Sequence, residues 1–290
     1  MSPLRHVPVL PAESLRLLAP RPGDVWVDCT TGAGGHASLI AAAVLPGGRV
    51  IGLDQDPAML AATGPRLVGL PVTLLPANFD QLPEVLTGLN LTTVDGVFAD
   101  LGFCSDQMDD PARGFSFKLD GPLDMRLNNT AGQSAADVVN ALSEGALADL
   151  IFEFGEERFS RRVARRIVER RAAKPFETTA ELASAVRSAV PRSGGIDPAT
   201  RTFQALRIAV NDELGALDRL LACLPKVVKP GGRAGIISFH SLEDRRVKQA
   251  FKVEAVWQPA TKKPVIAGES EAAANPRSRS AKLRVAVRIG

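Results

Sequence analysis

Apolar residues in the first hundred positions gather into four short runs, each of which predicts a buried strand. The runs span residues 25–27, 49–53, 72–75 and 94–99. Segments rich in helix formers separate them, as at residues 37–44. Strands that alternate with helices predict a parallel sheet with helices on both faces.

The pattern changes after residue 100. A loop-like stretch rich in Asp, Gly and Pro covers residues 103–127, and helical periodicity without a convincing strand follows over 135–202. Apolar positions at helical spacing then predict one long amphipathic helix over residues 203–224. We therefore expect a helical insertion within the strand–helix series.

The last part of the chain returns to strands. A turn is predicted at residues 229–232, followed by a buried strand at 233–239. Residues 283–289 alternate strictly between apolar and polar, which predicts a half-buried antiparallel strand at the end of the sheet. The expected fold class is α/β, a mostly parallel, doubly wound, Rossmann-like sheet with an inserted helical domain. The expected division is 1–105 and 213–290 for the sheet domain and 106–212 for the insertion.

A glycine-rich turn directly follows the first predicted strand. The strand ends at Asp28, and Gly32, Gly34 and Gly35 come next. Glycines there allow a positive φ and a close approach of the backbone to a ligand, and the following helix directs free N–H groups at the turn. Asp54 ends the second strand, about 20 positions further on, where an acidic residue can accept both hydroxyls of an adenosine ribose.

The residue before the turn helps to choose the cofactor. Gly32, Gly34 and Ala37 also fit a dinucleotide pattern, which binds a pyrophosphate at the helix N-terminus. Asp28 would repel a pyrophosphate but attract a cationic amino-acid group. S-adenosylmethionine carries an α-ammonium and a sulfonium and no phosphate. The stretch thus favours a methyltransferase and leaves a nicotinamide-dependent oxidoreductase as the alternative.

Composition narrows the class further. The 290 residues are 45% hydrophobic and 23% charged with a net charge of +3, as in an ordinary globular protein. We expect no membrane span, since no apolar run reaches about 18 residues, and we find no signal-peptide pattern at the N-terminus. Cys29, Cys104 and Cys223 are far apart, which predicts a reducing, cytoplasmic compartment without disulfides or a zinc site. No metal ion is expected.

Two basic clusters interrupt this nearly neutral chain. The first, at residues 157–171, has Val163 and Ile167 on its expected buried stripe and seven arginines elsewhere. The second, which we call the arginine tail, comprises Arg277, Arg279, Lys282 and Arg284. Solvated helix faces often look like this, but two clusters together favour a polyanion partner such as RNA.

Several longer motifs make the chain resemble a known family, the bacterial S-adenosylmethionine-dependent (cytosine-N4)-methyltransferases of small-subunit (16S) ribosomal RNA. The resemblance runs nearly end to end. Its most specific stretches are DCTTGAGGH at 28–36, ARGFSFKLDGPLDMR at 112–126, FGEERFSRRVARRI at 154–167 and ISFHSLEDRRVK at 237–248. It implies a class I methyltransferase fold with an inserted helical domain. We expect that this insertion and the arginine clusters bind the RNA, either free or within an assembled particle. The oligomeric state stays open, with a homodimer among the states allowed.

The resemblance also implies which residues contact the cofactor. They are Gly34, Gly35, His36, Asp54, Phe79, Asp100 and Gln107. Phe79 either stacks on the adenine or packs in the core. The loop after the fourth strand departs from the family pattern at Phe103, Cys104 and Asp106, where we interpret Cys104 as a serine replacement rather than a nucleophile.

Asp100 is also the candidate catalytic residue. The exocyclic amine of cytosine is a poor nucleophile, because its lone pair is delocalised into the ring. A hydrogen-bond acceptor just after the fourth strand would localise that lone pair, and Asp100 occupies this place. A cofactor-binding or loop-capping role stays open for Asp100, as does a base contact or a helix cap for His240, and His6 has no assigned role. A non-catalytic RNA-binding assembly factor is a further alternative.

Overall fold

The computed structural model describes residues 7–191 and 195–290, so His6 lies outside the described residues. In chain order, the helices are α1 (Pro11–Leu18), α2 (Gly35–Ala43), α3 (Pro57–Thr63), α4 (Leu82–Gly88), α5 (Ser105–Asp109), α6 (Ala135–Ala141), α7 (Glu144–Gly155), α8 (Ser160–Arg171), α9 (Thr179–Ala189), α10 (Ala199–Val210), α11 (Glu213–Val227), α12 (Ser241–Ala250) and α13 (Glu269–Ala274). The strands are β1 (Val25–Asp28), β2 (Arg49–Asp54), β3 (Val72–Pro76), β4 (Val94–Asp100), β5 (Val228–Ser238), β6 (Trp257–Pro259) and β7 (Lys282–Arg288).

The strands form a single sheet in the order β3-β2-β1-β4-β5-β7-β6. The first five strands along this order run parallel, and β7 is antiparallel to both β5 and β6. This confirms the expected mostly parallel sheet with an antiparallel strand near its end. The three-residue strand β6 was not predicted, because it has too few residues for a periodic signal. Among the described residues, no helix is both long and apolar enough to cross a membrane.

Helices cover both faces of the sheet, because side chains of neighbouring residues alternate between the faces. Val27, Ile51 and Val97 pack with α11 and α12 residues in one core cluster. Trp26 and Phe98 pack with α1 and α2 residues in the other. The alternation matches a sheet that is buried on both sides.

Two local predictions are wrong. The helix predicted over residues 203–224 is divided into α10 and α11, since Asp212 has a φ of 46° that no α-helix accommodates. At the same point the side-chain amide of Asn211 accepts from the Leu127 amide and donates to the Met125 carbonyl. The turn predicted at 229–232 lies inside β5, where Gly231 has a φ of 81° and the register with β4 shifts.

By residue contacts the chain divides into two compact units. The first unit comprises Met1–Cys104 and Leu214–Gly290 and contains the sheet, and the second unit comprises Ser105–Glu213. Within the second unit, helices α6 to α10 pack against one another and bury their apolar residues, and the rings of Phe117 and Phe203 meet edge to face at 4.9 Å. The separate role in RNA recognition expected for the insertion stays a prediction.

Candidate active site

Three carboxylates lie at the carboxyl ends of three adjacent strands. Asp28 ends β1, Asp54 ends β2 and Asp100 ends β4, with β1 in the centre of the three. Parallel strands end at the same edge, and ligands of such sheets bind beyond that edge. The structure therefore brings together three acidic residues that are 26 and 46 positions apart along the chain.

The glycine turn between β1 and α2 is fixed by the end of β2. Gly32 and Gly34 have φ values of 48° and 81°, and the Gly32 amide donates to Asp54 Oδ2 at 2.8 Å. The Thr63 hydroxyl donates to the Gly32 carbonyl at 2.5 Å. A Cβ on Gly34 would lie 2.9 Å from the Thr63 methyl, so this close approach requires glycine.

Asp54 thus has a structural role besides its predicted one. Its Oδ1 accepts from the Asp56 amide at 2.9 Å, while its Oδ2 accepts from the Gly32 amide. Both oxygens of the carboxylate are therefore engaged with main-chain amides at the ends of β1 and β2. Asp54 therefore holds the glycine turn in shape, and its contact with a ribose stays a prediction.

Asp28 is buried with one of its oxygens unsatisfied. Oδ1 accepts from the Thr30 amide at 3.2 Å, and Oδ2 has no hydrogen-bond partner. Burial, together with the negative charge of Asp54, raises the pKa of Asp28 to about 7. A cation that reached Oδ2 would relieve this penalty.

Asp100 is a second buried carboxyl with an unsatisfied oxygen. Its amide donates to the Thr30 hydroxyl at 2.6 Å, which links the ends of β1 and β4, and its Oδ1 has no hydrogen-bond partner. Burial, followed by the charges of Asp28 and Glu243, raises the pKa of Asp100 well above its usual value, and Arg277 opposes the rise. Sequence reasoning missed the influence of Glu243 and Arg277, because both are remote in the chain.

His36 contacts Asp100 from the start of α2. Its Nε2 lies 3.7 Å from Asp100 Oδ2, and its ring packs against Phe98 at 4.6 Å. His36 is only 6% exposed. The glycine turn therefore positions the His36 imidazole beside the Asp100 carboxyl at the end of β4.

The other predicted residues lie in different settings. Phe79 begins a short 3-10 helix after β3, and its half-buried ring packs against the core cluster, so both of its interpretations stay open. Gln107 is a buried residue of α5 in the second unit. Cys104 Sγ lies 3.6 Å from Met59 Sδ in a buried apolar cluster, which agrees with a packing role.

His240 lies at the N-cap of α12, which is one of the two roles that the sequence left open. The Glu243 carboxylate reaches back to accept from the amides of Phe239 and His240, at 2.8 and 3.2 Å. The imidazole Nε2 of His240 lies 3.2 Å from Glu243 Oε1. This arrangement begins the helix and fixes the segment after β5.

The two basic clusters differ in how their charges are used. On α8, Arg171 donates to the carbonyls of Val139 and Leu142 at the end of α6 and is therefore structural. The other α8 arginines are more exposed, and Arg158 and Arg162 lie over the Phe159 ring at 4.7 and 5.5 Å.

Every cation of the arginine tail has a partner in the first unit. Arg284 and Lys282 pair with Asp244 at 2.7 and 3.5 Å. Arg277 donates to the Phe103 carbonyl at 3.3 Å and Arg279 to the Ala272 carbonyl at 3.1 Å. These residues hold the end of the chain on the sheet, so α8 is the better candidate for an RNA-binding surface.

A model of the MraW methylase family matches residues 3–289 of this sequence. The chain belongs to the MraW methylase family. It is 50% identical over 290 residues to the "Ribosomal RNA small subunit methyltransferase H" of Sorangium cellulosum, covering 99% of this chain and 91% of that protein. It is 52% identical to the protein of the same name from Deinococcus radiodurans, covering 98% and 89%.

The membership fixes the class of the enzyme and of the cofactor. The chain is a class I methyltransferase, and as an MraW methylase it uses S-adenosylmethionine. The residues present fit this cofactor, since Asp28 Oδ2 is a buried carboxyl oxygen without a partner next to the glycine turn. Family membership also decides against the nicotinamide-dependent alternative.

Proposed function

We propose that this MraW methylase transfers a methyl group to N4 of a cytidine in small-subunit ribosomal RNA. The observation that carries the proposal is the pair of buried, partly unsatisfied carboxyls at the ends of β1 and β4 in a chain of this family. The names of the relatives from Sorangium and Deinococcus support the ribosomal substrate.

The cofactor, when bound, would supply an electrophilic methyl group on its sulfonium. The lone pair of the cytosine amine forms the new nitrogen–carbon bond, and the electron pair of the broken carbon–sulfur bond stays on sulfur. The amine must also lose a proton. We assign that proton to Asp100 Oδ1, which lies buried without another partner. The raised pKa of Asp100 makes its carboxylate a stronger base than an exposed aspartate.

His36 and Arg277 act on Asp100 and not on the substrate. His36 restrains Oδ2 by its contact at 3.7 Å, which leaves Oδ1 as the oxygen for the amine. The charge of Arg277 lowers the pKa of Asp100 and so favours the carboxylate form. Burial excludes water, which would otherwise compete for the same oxygen.

Substitutions of Asp100 and of Asp54 should affect turnover and cofactor affinity separately. We expect Asp100→Asn to lower turnover by about 10²–10⁴-fold, the usual contribution of a general base, with little change in adenosylhomocysteine affinity. Asp54→Asn should instead weaken cofactor affinity and retain turnover at saturating cofactor. Calorimetry and single-turnover methyl transfer measure the two quantities. If Asp100→Asn changes neither, Asp100 is neither ligand nor catalyst.

The α8 surface is our candidate for holding the RNA backbone. Exposed arginines, of which Arg158 and Arg162 flank Phe159, suit phosphates and an adjoining base. Binding carried by such contacts weakens steeply with salt. A salt-independent RNA affinity would contradict the RNA partner.

The same proposal includes whether the substrate is free ribosomal RNA or an assembled subunit, and the compartment in which the protein acts. Transfer of labelled methyl groups to isolated small subunits, compared with transfer to free ribosomal RNA, identifies the substrate. Mass spectrometry of ribosomal RNA from cells with and without the gene identifies the nucleotide. RNA binding without any transfer would favour the assembly-factor alternative. We keep the cytoplasm as the proposed compartment, and light scattering will test the homodimer.

A further inference from the structure

A basic pocket lies at the edge of the sheet, entirely within the first unit. The cavity measures about 240 Å³ and is bordered by the end of α12, the segment after β6, and β7. Phe251 and Pro259 provide its apolar part. Four cations surround it: Lys248, Lys252, Lys262 and Arg284.

Three of these cations lack any compensating charge. Lys248, Lys252 and Lys262 are exposed, and none has a carboxylate within 4.0 Å among residues 7–191 and 195–290. Arg284 differs, because it pairs with Asp244 at 2.7 Å. The pocket therefore combines one structural arginine with three unpaired lysines.

Helix electrostatics explain only part of this arrangement. Cations near a helix C-terminus are favourable, which accounts for Lys248 and Lys252 at the end of α12. Lys262 belongs to a different segment, after β6, yet it lines the same cavity. Like charges gathered from two segments repel each other, so their meeting indicates an anionic ligand.

The size of the cavity limits the ligand. Pockets for whole small molecules usually have about 300–1,000 Å³, and this one has about 240 Å³. It suits a phosphate with its adjoining sugar, which would pack on the buried Phe251 ring. A complete nucleotide cofactor is too large.

The pocket is near the active-site edge of the same sheet. Asp100 pairs with Ile237 of β5, and Ile236 pairs with Arg284 of β7. Neighbouring strands are about 4.8 Å apart, so the main chain of Arg284 lies about 10 Å from that of Asp100 across the sheet. The two side chains are on opposite faces of the sheet, so a strand that reaches both passes over its edge. A nucleic acid strand covers that distance within a few nucleotides.

We propose that this pocket binds a backbone phosphate of the substrate RNA, a few nucleotides from the target cytidine. The proposal rests on the proposed function, because it requires RNA at the β4 edge. The lysines attract the phosphate whatever the base sequence of the RNA, while Phe251 contacts the sugar. The pocket thus fixes the strand relative to Asp100.

The test compares two triple variants of the full chain. The pocket variant is Lys248→Ala, Lys252→Ala, Lys262→Ala. The control variant is Arg21→Ala, Arg49→Ala, Arg66→Ala, which removes three exposed cations of the same unit and changes the net charge equally. Arg284 is left unchanged because it holds Asp244.

The measurement is RNA affinity as a function of salt concentration. For single strands the slope of log affinity against log salt changes by about 0.7 per phosphate contact, so loss of this one contact should make the slope of the pocket variant less negative by about 0.7, with an affinity loss of about 4-fold at 150 mM salt. The control should behave as the wild type. An RNA oligonucleotide with uncharged methylphosphonate linkages should bind both the wild type and the pocket variant equally.

Three results would overturn the proposal. The pocket variant could match the wild type in affinity and slope, or the control could lose as much as the pocket variant. Inorganic phosphate could bind the wild type but not the pocket variant and yet leave RNA affinity unchanged at constant ionic strength, which would identify a site for free phosphate. Methyl transfer by the wild type separates these failures from failure of the proposed function, and adenosylhomocysteine affinity verifies that both variants are folded.

Discussion

Replacing Asp28 by asparagine should stabilise the unliganded protein at high pH. The pKa of Asp28 is about 7 in the folded protein and 3.8 when exposed. The folded state therefore holds the proton more tightly, and stability is lost as the pH rises from about 4 through 7. The difference amounts to about 4 kcal/mol once the carboxyl is ionised, at about 1.36 kcal/mol per pKa unit.

The size of this effect makes it measurable by thermal unfolding. For a domain of this size about 1 kcal/mol shifts Tm by about 2–4 °C, so Asp28→Asn should raise Tm by on the order of 10 °C at pH 8. The advantage should disappear near pH 4, where Asp28 is protonated in both states. Asp149→Asn removes an exposed carboxylate on α7 and provides the control. An equal Tm difference at pH 4 and pH 8 would refute the linkage to ionisation.

Cofactor affinity should increase as the pH rises, whereas the stability of the unliganded protein falls. A cationic ligand requires the ionised carboxylate, so affinity depends on the ionised fraction of Asp28. With a pKa of about 7, that fraction rises about eightfold between pH 6 and pH 7.5. The comparison stops at pH 7.5 because the α-ammonium group of the cofactor itself loses its proton at about pH 7.7–8.0. Asp28→Asn should bind S-adenosylmethionine weakly and without this rise, as measured by calorimetry. A variant that binds as tightly as the wild type would show that Asp28 does not face the cation.

Two further changes test how the units are built. Gly96→Ala would place a Cβ 2.3 Å from the buried Trp26 indole, so urea unfolding should show a loss of about 1–3 kcal/mol or more in the free energy of unfolding. In the control variant Gly88→Ala the added Cβ meets nothing within 4 Å, so stability should change little. Equal effects of the two substitutions would contradict the steric explanation. Arg171→Ala removes two bonds to the end of α6 and should cost about 1.5–3 kcal/mol without changing the salt dependence of RNA binding, while Arg162→Ala should reduce that dependence and leave stability intact. The reverse pattern would mean that Arg171 is the RNA contact.

The sequence predicted the sheet well because each central strand carries its own signal. Apolar runs separated by glycine, proline and helix formers located β1 to β4 to within a residue or two. The single helix predicted over 203–224 was wrong for a reason outside that segment. Asn211 bonds to Met125 and Leu127, and these distant partners outweigh the helical periodicity.

The two arginine clusters show a second limit. Their composition indicated positive charge but not where each charge is neutralised. Arg171 and Arg284 looked like RNA contacts and instead bond to α6 carbonyls and to Asp244. The three unpaired lysines of the pocket stood out less in the sequence, because they come from separate segments.

By itself the sequence determined the fold class, the glycine turn and the acidic residues that end the strands, since these depend on local periodicity and on motifs within a few positions. Only the tertiary structure decided which of these groups are unsatisfied. Burial raises the pKa of Asp28 and of Asp100, and Asp54, expected only to contact a ribose, also accepts from the Gly32 amide of the turn. Desolvation and charge coupling depend on what surrounds a group in space, and most of those neighbours are remote along the chain.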